Sequence, residues 1–158
     1  MQKLLSYIRR AVDDYGMISE NDHITVGVSG GKDSLALLCA LAGLRKFYPK
    51  PFSLSAVSVS MGYKEMNFDG VRRLCDELGV PLVIKETNIA EILFDMRKES
   101  NPCSLCAKLR RGALHNAALE LGSRTVALGH HEDDVLETFM LCLVYEGRVN
   151  CFSPVTFL

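Results

Sequence analysis

"VGVSGGKDSLALL", residues Val26 to Leu38, joins an apolar, β-branched run to an apolar helical run through a short polar turn. Two adjacent glycines let the backbone turn tightly and approach a ligand closely, because they carry no Cβ atom. The free N–H groups at a helix start point outward with the positive end of the helix dipole, and together they form an anion site. The stretch therefore predicts a strand, a phosphate-binding turn and a helix.

The polar residues of this turn suit a nucleotide phosphate. Two serines add hydroxyl donors, a lysine adds a cation, and Asp33 is compatible with phosphate when Mg²⁺ lies between them. The spacing is shorter than in a Walker A loop. An ordinary strand-to-helix turn capped by Ser34 explains the glycines, but not the aspartate beside the lysine. We therefore predict phosphate binding by Ser29, Gly30, Gly31, Lys32, Asp33 and Ser34.

Strands and helices alternate along the chain. Short runs rich in β-branched residues, bounded by glycine, proline or polar turns, are typical of buried strands, and they cover 24–29, 52–60, 81–86 and 124–129. Helical periodicity lies between and after them, at 34–46, about 67–78, 105–121 and 134–145. This order predicts an α/β fold, an open parallel sheet with helices on both faces.

The 158 residues have the length of one domain. We expect an amphipathic N-terminal helix at 1–16, a nucleotide-binding core at 24–147 and a tail at 148–158. Four strands make a thin parallel sheet with an exposed edge. Three explanations stay open: the tail adds a short edge segment, the sequence is truncated, or oligomerisation covers the edge.

Composition narrows the class of protein. Hydrophobic residues make up 48% of the chain and charged residues 23%, which excludes a disordered polymer. No apolar run reaches the length of a membrane span, and the N-terminus lacks a secretion signal, so we predict a cytoplasmic protein. The net charge is −1, so nucleic-acid contacts would depend on local basic patches. The candidates, each equally compatible with a solvated helix face, are Arg9–Arg10, 45–50 and 108–112.

A second polar motif, "LGHHEDDVLET" at 128–138, follows the fourth predicted strand and opens a helix. Asp133 could hold Mg²⁺ or orient a nucleotide, whereas Glu132 and Asp134 could serve only as helix caps. We predict that one of the two adjacent histidines contacts substrate or nucleotide. The residues selected for the nucleotide are Gly129 and His130.

Two cysteines stand at a predicted helix start in "NPCSLCAKLRRGAL", residues 101–114. The dipole of a helix and nearby cations favour the thiolate, the form that carries sulfur, forms disulfides or binds metal. Four uses of Cys103 and Cys106 stay open: iron–sulfur ligation, persulfide chemistry, zinc binding, or an ordinary pair. Zinc is the weaker reading, since no second pair follows at a suitable spacing.

These three motifs, in this order, resemble those of the PP-loop ATP pyrophosphatases and, within that group, the TtcA-type tRNA 2-thiocytidine biosynthesis family. The resemblance runs from the first helix to about Gly147 and implies an adenine nucleotide alpha-hydrolase-like fold. It implies that ATP is cleaved between its α and β phosphates. The adenine would lie at the end of the second strand, near Ser58 and Met61, and the first aspartate of the family's second motif maps onto Asp133.

The family resemblance implies ATP-dependent thiolation of a cytidine in a tRNA anticodon loop. The C2 oxygen of the base would be adenylated with release of pyrophosphate, and sulfur would then displace AMP. The partners implied are tRNA, a sulfur donor protein and, as one possibility, a second copy of the chain. The residues that match the family's catalytic positions are Asp33, Asp133, Cys103, Cys106 and Arg110.

The family also uses a [4Fe–4S] cluster held by three cysteines, and Cys103 and Cys106 match two of them. The later cysteines, Cys142 and Cys151, occupy no matching motif. The second strand ends in "SVSMGYKEMNF", which departs from the family's usual acidic, proline-containing stretch. Two alternatives therefore stay open: an ATP-binding module or partner subunit without thiolase activity, and a PP-loop ligase acting on another carbonyl.

Overall fold

A computed structural model describes residues 2–63, 66–96 and 102–156. Met1 of the predicted N-terminal helix, Lys64 and Glu65 after the second strand, and the last two residues of the tail lie outside these ranges. The elements, in chain order, are α1 (Gln2–Asp14), β1 (Asp22–Gly27), α2 (Lys32–Leu44), β2 (Phe52–Ser60), α3 (Asp69–Leu78), β3 (Leu82–Glu86), α4 (Ile89–Glu91), a π-helical turn (Ile92–Met96), α5 (Pro102–Glu120), β4 (Thr125–Ala127) and α6 (Glu132–Glu146).

The four strands form one parallel sheet in the order β3-β2-β1-β4. Strand β1 lies between β2 and β4, so that Thr25 is paired with Ser55 on one side and Val126 on the other. The chain adds β2 and β3 to one side of β1 and β4 to the opposite side. In such sheets ligands bind where the strand order reverses, outside the carboxyl ends of the strands. Here that position lies between the loops that follow β1 and β4.

Alternate residues of the strands face two different helical layers. One buried cluster unites Ile24, Val26 and Leu54 with Leu38 of α2 and Val12 of α1. On the opposite face, Val57 packs with Leu114 and Ala117 of α5. Because side chains alternate along a strand, one apolar strand supplies both cores. The predicted α/β fold with helices on both faces is confirmed.

Helix α5 is buried only in its second half, at Leu114, Ala117 and Ala118. A Cβ atom at Gly27 of β1 would lie 2.8 Å from a methyl group of Leu114, so glycine permits this close approach. The helix returns from the carboxyl end of β3 to the start of β4, and its exposed first turns therefore lie towards the edge of the sheet that carries the phosphate loop.

Several boundaries differ from the predicted ones. Strand β1 ends at Gly27, two residues before the predicted end, and α2 begins at Lys32, two residues before the predicted start. The sequence pattern did not predict α4 or the π-helical turn. In the described part of the tail, 147–156, no strand is formed, so the expectation of an added edge strand is not met there.

Helix α6 packs little against the rest of the described structure, and none of its residues is buried. Its exposed large apolar side chains are Leu136, Met140, Leu141, Leu143, Val144 and Tyr145. The helices within the described ranges include none with both the length and the apolar character needed to cross a bilayer.

Candidate nucleotide-binding site

The turn between β1 and α2 is held by its own two serines. Ser34 is buried, and its hydroxyl donates to the carbonyl of Gly31 at 2.9 Å. The same oxygen accepts hydrogen bonds from the backbone N–H and the hydroxyl of Ser29, both at 3.2 Å. The Ser34 hydroxyl thus fixes the shape of the loop, while Ser29, Gly30 and Lys32 are exposed.

The loop presents backbone amides towards solvent at the start of α2. Gly30 has φ +84°, in the left-handed region that side chains disfavour, and a Cβ atom there would meet no other atom within 4 Å. The first N–H groups of a helix lack partners within it, and here Gly31 stands at the N-cap without a side-chain cap. The start of α2 therefore has the loop geometry that the sequence analysis expects of an anion site.

The loop after β4 packs directly on the phosphate loop. A Cβ atom at Gly129 would lie 2.9 Å from three backbone atoms, the carbonyl carbon and oxygen of Asp33 and the nitrogen of Ser34. Only glycine allows this approach. The two motifs that the sequence separates by about a hundred residues are therefore in contact at the point where the strand order reverses.

His131 lies between the carboxylates of both motifs. Its Nε2 atom is 4.0 Å from Asp33 Oδ1, and its Nδ1 atom is 3.9 Å from Asp133 Oδ2 and 3.5 Å from Asp134 Oδ2. The backbone N–H of His131 donates to Asp134 Oδ2 at 2.7 Å, which stabilises the start of α6. Asp134 is thus a capping residue, as one reading of the sequence expected.

The neighbouring histidine points elsewhere. The ring of His130 lies 5.3 Å from that of Phe152 in the tail, tilted by 49°. His131, rather than His130, is therefore the histidine that the fold brings to the phosphate loop. The sequence motif contained both, and nothing in their order distinguished them.

A cavity of about 550 Å³ opens beyond the carboxyl ends of β2 and β3. Its lining is mainly polar, and the volume falls in the range of small-molecule sites. The sequence did not point to most of its residues, because they come from three separate segments. They include Ser60, Tyr63, Asn67, Phe68, Arg72 and Glu86.

The two residues predicted to face adenine lie close to this cavity in the chain. The hydroxyl of buried Ser58 donates to the carbonyl of Val28 at 2.7 Å, so that side chain joins β2 to the end of β1. The carbonyl of Met61 accepts from Ala90 N at 2.9 Å. The loop after β2 is therefore fixed against α4, beside the cavity.

Cys103 and Cys106 stand in the first turn of α5, which begins at Pro102. Cys103 is exposed and Cys106 half-buried, and residues three apart on a helix are neighbours. Arg110 is exposed one turn later on the same helix. The predicted position of the thiols at a helix start is confirmed.

The donor atoms in the described ranges do not complete a metal site. No group of three histidine, cysteine or acidic residues there is arranged to hold an ion. Cys103 and Cys106 supply two thiol ligands for an iron–sulfur cluster, and the described residues supply no third ligand beside them. A magnesium ion bound with ATP needs fewer protein ligands, because phosphates and waters fill its other positions.

Curated proteins whose sequences are similar to this chain carry the name tRNA-cytidine(32) 2-sulfurtransferase. The tRNA-cytidine(32) 2-sulfurtransferase of Pelobacter propionicus is 42% identical over 153 residues, covering 96% of this chain and 57% of that relative. The enzyme of the same name from Alkalilimnicola ehrlichii is 42% identical over 156 residues, covering 98% and 50%. The chain spans about half the length of the curated relatives it matches.

Solved structures support the fold. The U34-tRNA thiolase NcsA from Methanococcus maripaludis, solved with its [4Fe-4S] cluster, matches with a TM-score of 0.75 and 29% identity, over 92% of this chain and 51% of that one. The NH3-dependent NAD synthetase of Campylobacter jejuni matches with a TM-score of 0.58 at 18% identity, over 85% and 57%. The family model of the PP-loop domain matches residues 2–153, and the chain belongs to that family.

Proposed function

We propose that this chain forms the ATP-binding part of a tRNA-cytidine 2-sulfurtransferase, which activates the C2 oxygen of an anticodon-loop cytidine as an adenylate. The observation that carries the proposal is the contact at Gly129 between the phosphate loop and the loop after β4. This contact brings the open amides of α2, Asp33 and His131 to one place. The names of the relatives favour such an enzyme over an ATP-binding module without thiolase activity.

The triphosphate of ATP would lie on the amides of Gly30, Gly31 and Lys32, where the dipole of α2 favours its charge. Asp33 repels a bare phosphate, so we assign it to a Mg²⁺ ion that accompanies ATP, with Asp133 as the second carboxylate nearby. His131 lies between these two carboxylates and would keep them in position. The adenosine would extend towards the cavity beyond β2.

The chemistry has two steps. The C2 oxygen of cytidine attacks the α-phosphorus, the bond to the β-phosphate breaks, and pyrophosphate leaves. A hydrosulfide then attacks C2, the carbon–oxygen bond breaks, and AMP leaves, so that no electrons are gained or lost overall. Lys32 and the amides of the loop would stabilise the negative charge that moves to the leaving group.

Cys103 and Cys106 are the residues we assign to the delivery of sulfur. They stand in the first turns of α5, which begins towards the carboxyl edge of the sheet, the edge at which the phosphate loop also lies. Arg110 would neutralise a phosphate of ATP or of the RNA. The two thiols could also serve as ligands of an iron–sulfur cluster of the kind named for the archaeal thiolase, with a further ligand from outside the described residues.

The test is the conversion of cytidine to 2-thiocytidine in a tRNA transcript. The chain is incubated without oxygen with ATP, Mg²⁺, sulfide and tRNA, and the digested nucleosides are separated and weighed by mass spectrometry. We expect thiolated cytidine from the wild type and none from Cys103→Ser. A matched control is Cys39→Ser, a half-buried thiol of α2, which should retain the product. Equal yields from all three proteins would contradict the assigned role of Cys103.

A further inference from the structure

Two basic segments that are distant in sequence lie side by side in the fold. Leu5 of α1 contacts α2 near its end, where a Cβ atom on Gly43 would lie 3.2 Å from a Leu5 methyl group. Phe47 lies a few residues after the end of α2 and faces α1. Between them lies a hollow of about 340 Å³, lined by Gln2, Leu5, Ser6, Arg9 and Phe47.

Cations and aromatic rings are exposed together on this surface. Lys3 Nζ lies 5.9 Å and Arg10 Cζ 5.6 Å from the centre of the Tyr7 ring. The side chain of Tyr7 is 52% exposed, and that of Phe47 is 51% exposed. A ring beneath two cations holds them in a defined arrangement at the surface. We call the set Lys3, Tyr7, Arg9, Arg10 and Phe47 the α1 basic surface.

The local charge differs in sign from that of the whole chain. The α1 basic surface contains three cations, whereas the complete sequence has a net charge of −1. The two acids of α1, Asp13 and Asp14, stand at its final turn. Asp13 is already engaged, because it accepts from the Tyr48 hydroxyl at 2.7 Å and lies 3.6 Å from Arg9. Since Asp13 is paired with Arg9, the positive charge of this surface comes from Lys3 and Arg10, which flank the Tyr7 ring.

Positive charge beside exposed aromatic rings is the combination with which proteins bind RNA. Lysine and arginine neutralise phosphates, and bases stack on aromatic rings or guanidinium planes. Charge complementarity thus favours a polyanion as the occupant.

We infer that the α1 basic surface binds the sugar-phosphate backbone of tRNA, away from the reacting base. This inference depends on the proposed function, which names tRNA as the substrate. The thirteen residues of α2 separate the surface from the phosphate loop by about 20 Å. One tRNA is long enough to contact both sites. Binding here would hold the RNA while its target cytidine enters the nucleotide site.

The experiment measures the affinity of a fluorescent tRNA transcript for the chain by anisotropy at several salt concentrations. In the double variant Lys3→Glu/Arg10→Glu we expect affinity to fall at least tenfold at about 0.1 M salt. The slope of log affinity against log salt should shrink by about two, because two phosphate contacts are lost. Phe47→Ala should weaken binding by roughly fivefold or more without changing that slope.

The control reverses the same charges elsewhere. Arg73 and Arg124 are exposed outside the α1 basic surface, and Arg73→Glu/Arg124→Glu should bind tRNA as the wild type does. Circular dichroism and the affinity for a non-hydrolysable ATP analogue confirm that each variant is folded. If the two double variants lose the same affinity, or neither loses any, the inference is wrong while the proposed function stands. A wild type that binds ATP but no tRNA would overturn both.

Discussion

At the scale of single residues, Gly129 joins the two motifs of the nucleotide site. Its missing Cβ atom leaves room for backbone atoms of Asp33 and Ser34, which cannot rotate away as a side chain would. We predict that Gly129→Ala separates the loops and lowers the affinity for a non-hydrolysable ATP analogue at least tenfold, measured by calorimetry.

The matched control for this substitution is Gly70→Ala in α3, where a Cβ atom would meet nothing within 4 Å. It should leave nucleotide affinity unchanged and stabilise the helix slightly, by up to about 1 kcal/mol. If Gly129→Ala bound the analogue as tightly as Gly70→Ala, the contact between the loops would have no part in nucleotide binding.

Cys75 is a structural thiol and contrasts with the exposed Cys103. Burial raises its pKa above the ordinary value of 9.0, and the charges of Asp76 and Cys39 act in the same direction. The folded protein therefore keeps this proton at a pH where the unfolded chain has lost it. The stabilising effect is complete below pH 9.0 and is lost as the pH rises through the folded-state pKa.

We accordingly predict that the free energy of unfolding in urea falls as the pH rises above 9.0, where the unfolded chain releases the thiol proton that the folded protein keeps. In Cys75→Val the part of this decline due to the thiol should disappear. Tyr48, whose pKa is also raised by burial and by Asp13, should still contribute a decline at higher pH. An unchanged pH dependence in Cys75→Val would show that Cys75 does not cause it.

At the scale of elements, the start of α6 positions His131. Removing the Asp134 carboxylate breaks the hydrogen bond to His131 N and leaves the first turn uncapped. We predict that Asp134→Ala costs about 1 kcal/mol of stability in urea unfolding and also weakens binding of the ATP analogue. Glu137→Ala, an exposed change further along the same helix, should do neither. If Asp134→Ala lowered stability but kept its affinity for the ATP analogue, the cap would have no role in nucleotide binding.

Periodicity predicted every strand and the longer helices, because each carries a recognisable apolar pattern in its own consecutive residues. It missed α4 and the π-helical turn at residues 89–96, because this segment is short, although Ile89, Ile92 and Leu93 have helical spacing. Their position depends on distant contacts such as Ala90 N to Met61 O. The choice between His130 and His131 was likewise beyond the sequence, because the capping geometry of Asp134 decides it.

The turn between β1 and α2 was predictable to within two residues, since its glycines, serines and charges are consecutive. The cavity beyond β2 and β3 was not, because Ser60, Asn67 and Glu86 come from three segments that only the folded sheet brings together. The α1 basic surface needed the fold for the same reason. Local chemistry can be read from consecutive residues, whereas composite sites depend on strand order and helix packing.

At the scale of the whole molecule, the core and α6 differ in how they contribute to stability. Leu38 is fully buried between α2 and the sheet, whereas Leu141 of α6 is 57% exposed. We predict that Leu38→Ala lowers the free energy of unfolding by about 2–5 kcal/mol, while Leu141→Ala changes it by less than about 1 kcal/mol. Urea unfolding of both variants compares them directly. A similar loss for both would mean that α6 is packed in solution.

The central claim of the proposed function is that ATP is cleaved between its α and β phosphates. Labelled ATP is incubated with the chain, Mg²⁺, sulfide and a tRNA transcript, and the nucleotides are separated by chromatography. We predict AMP and pyrophosphate, formed faster when tRNA is present and lost in Asp33→Ala. Formation of ADP, or of AMP at an equal rate in Asp33→Ala, would contradict the proposed chemistry.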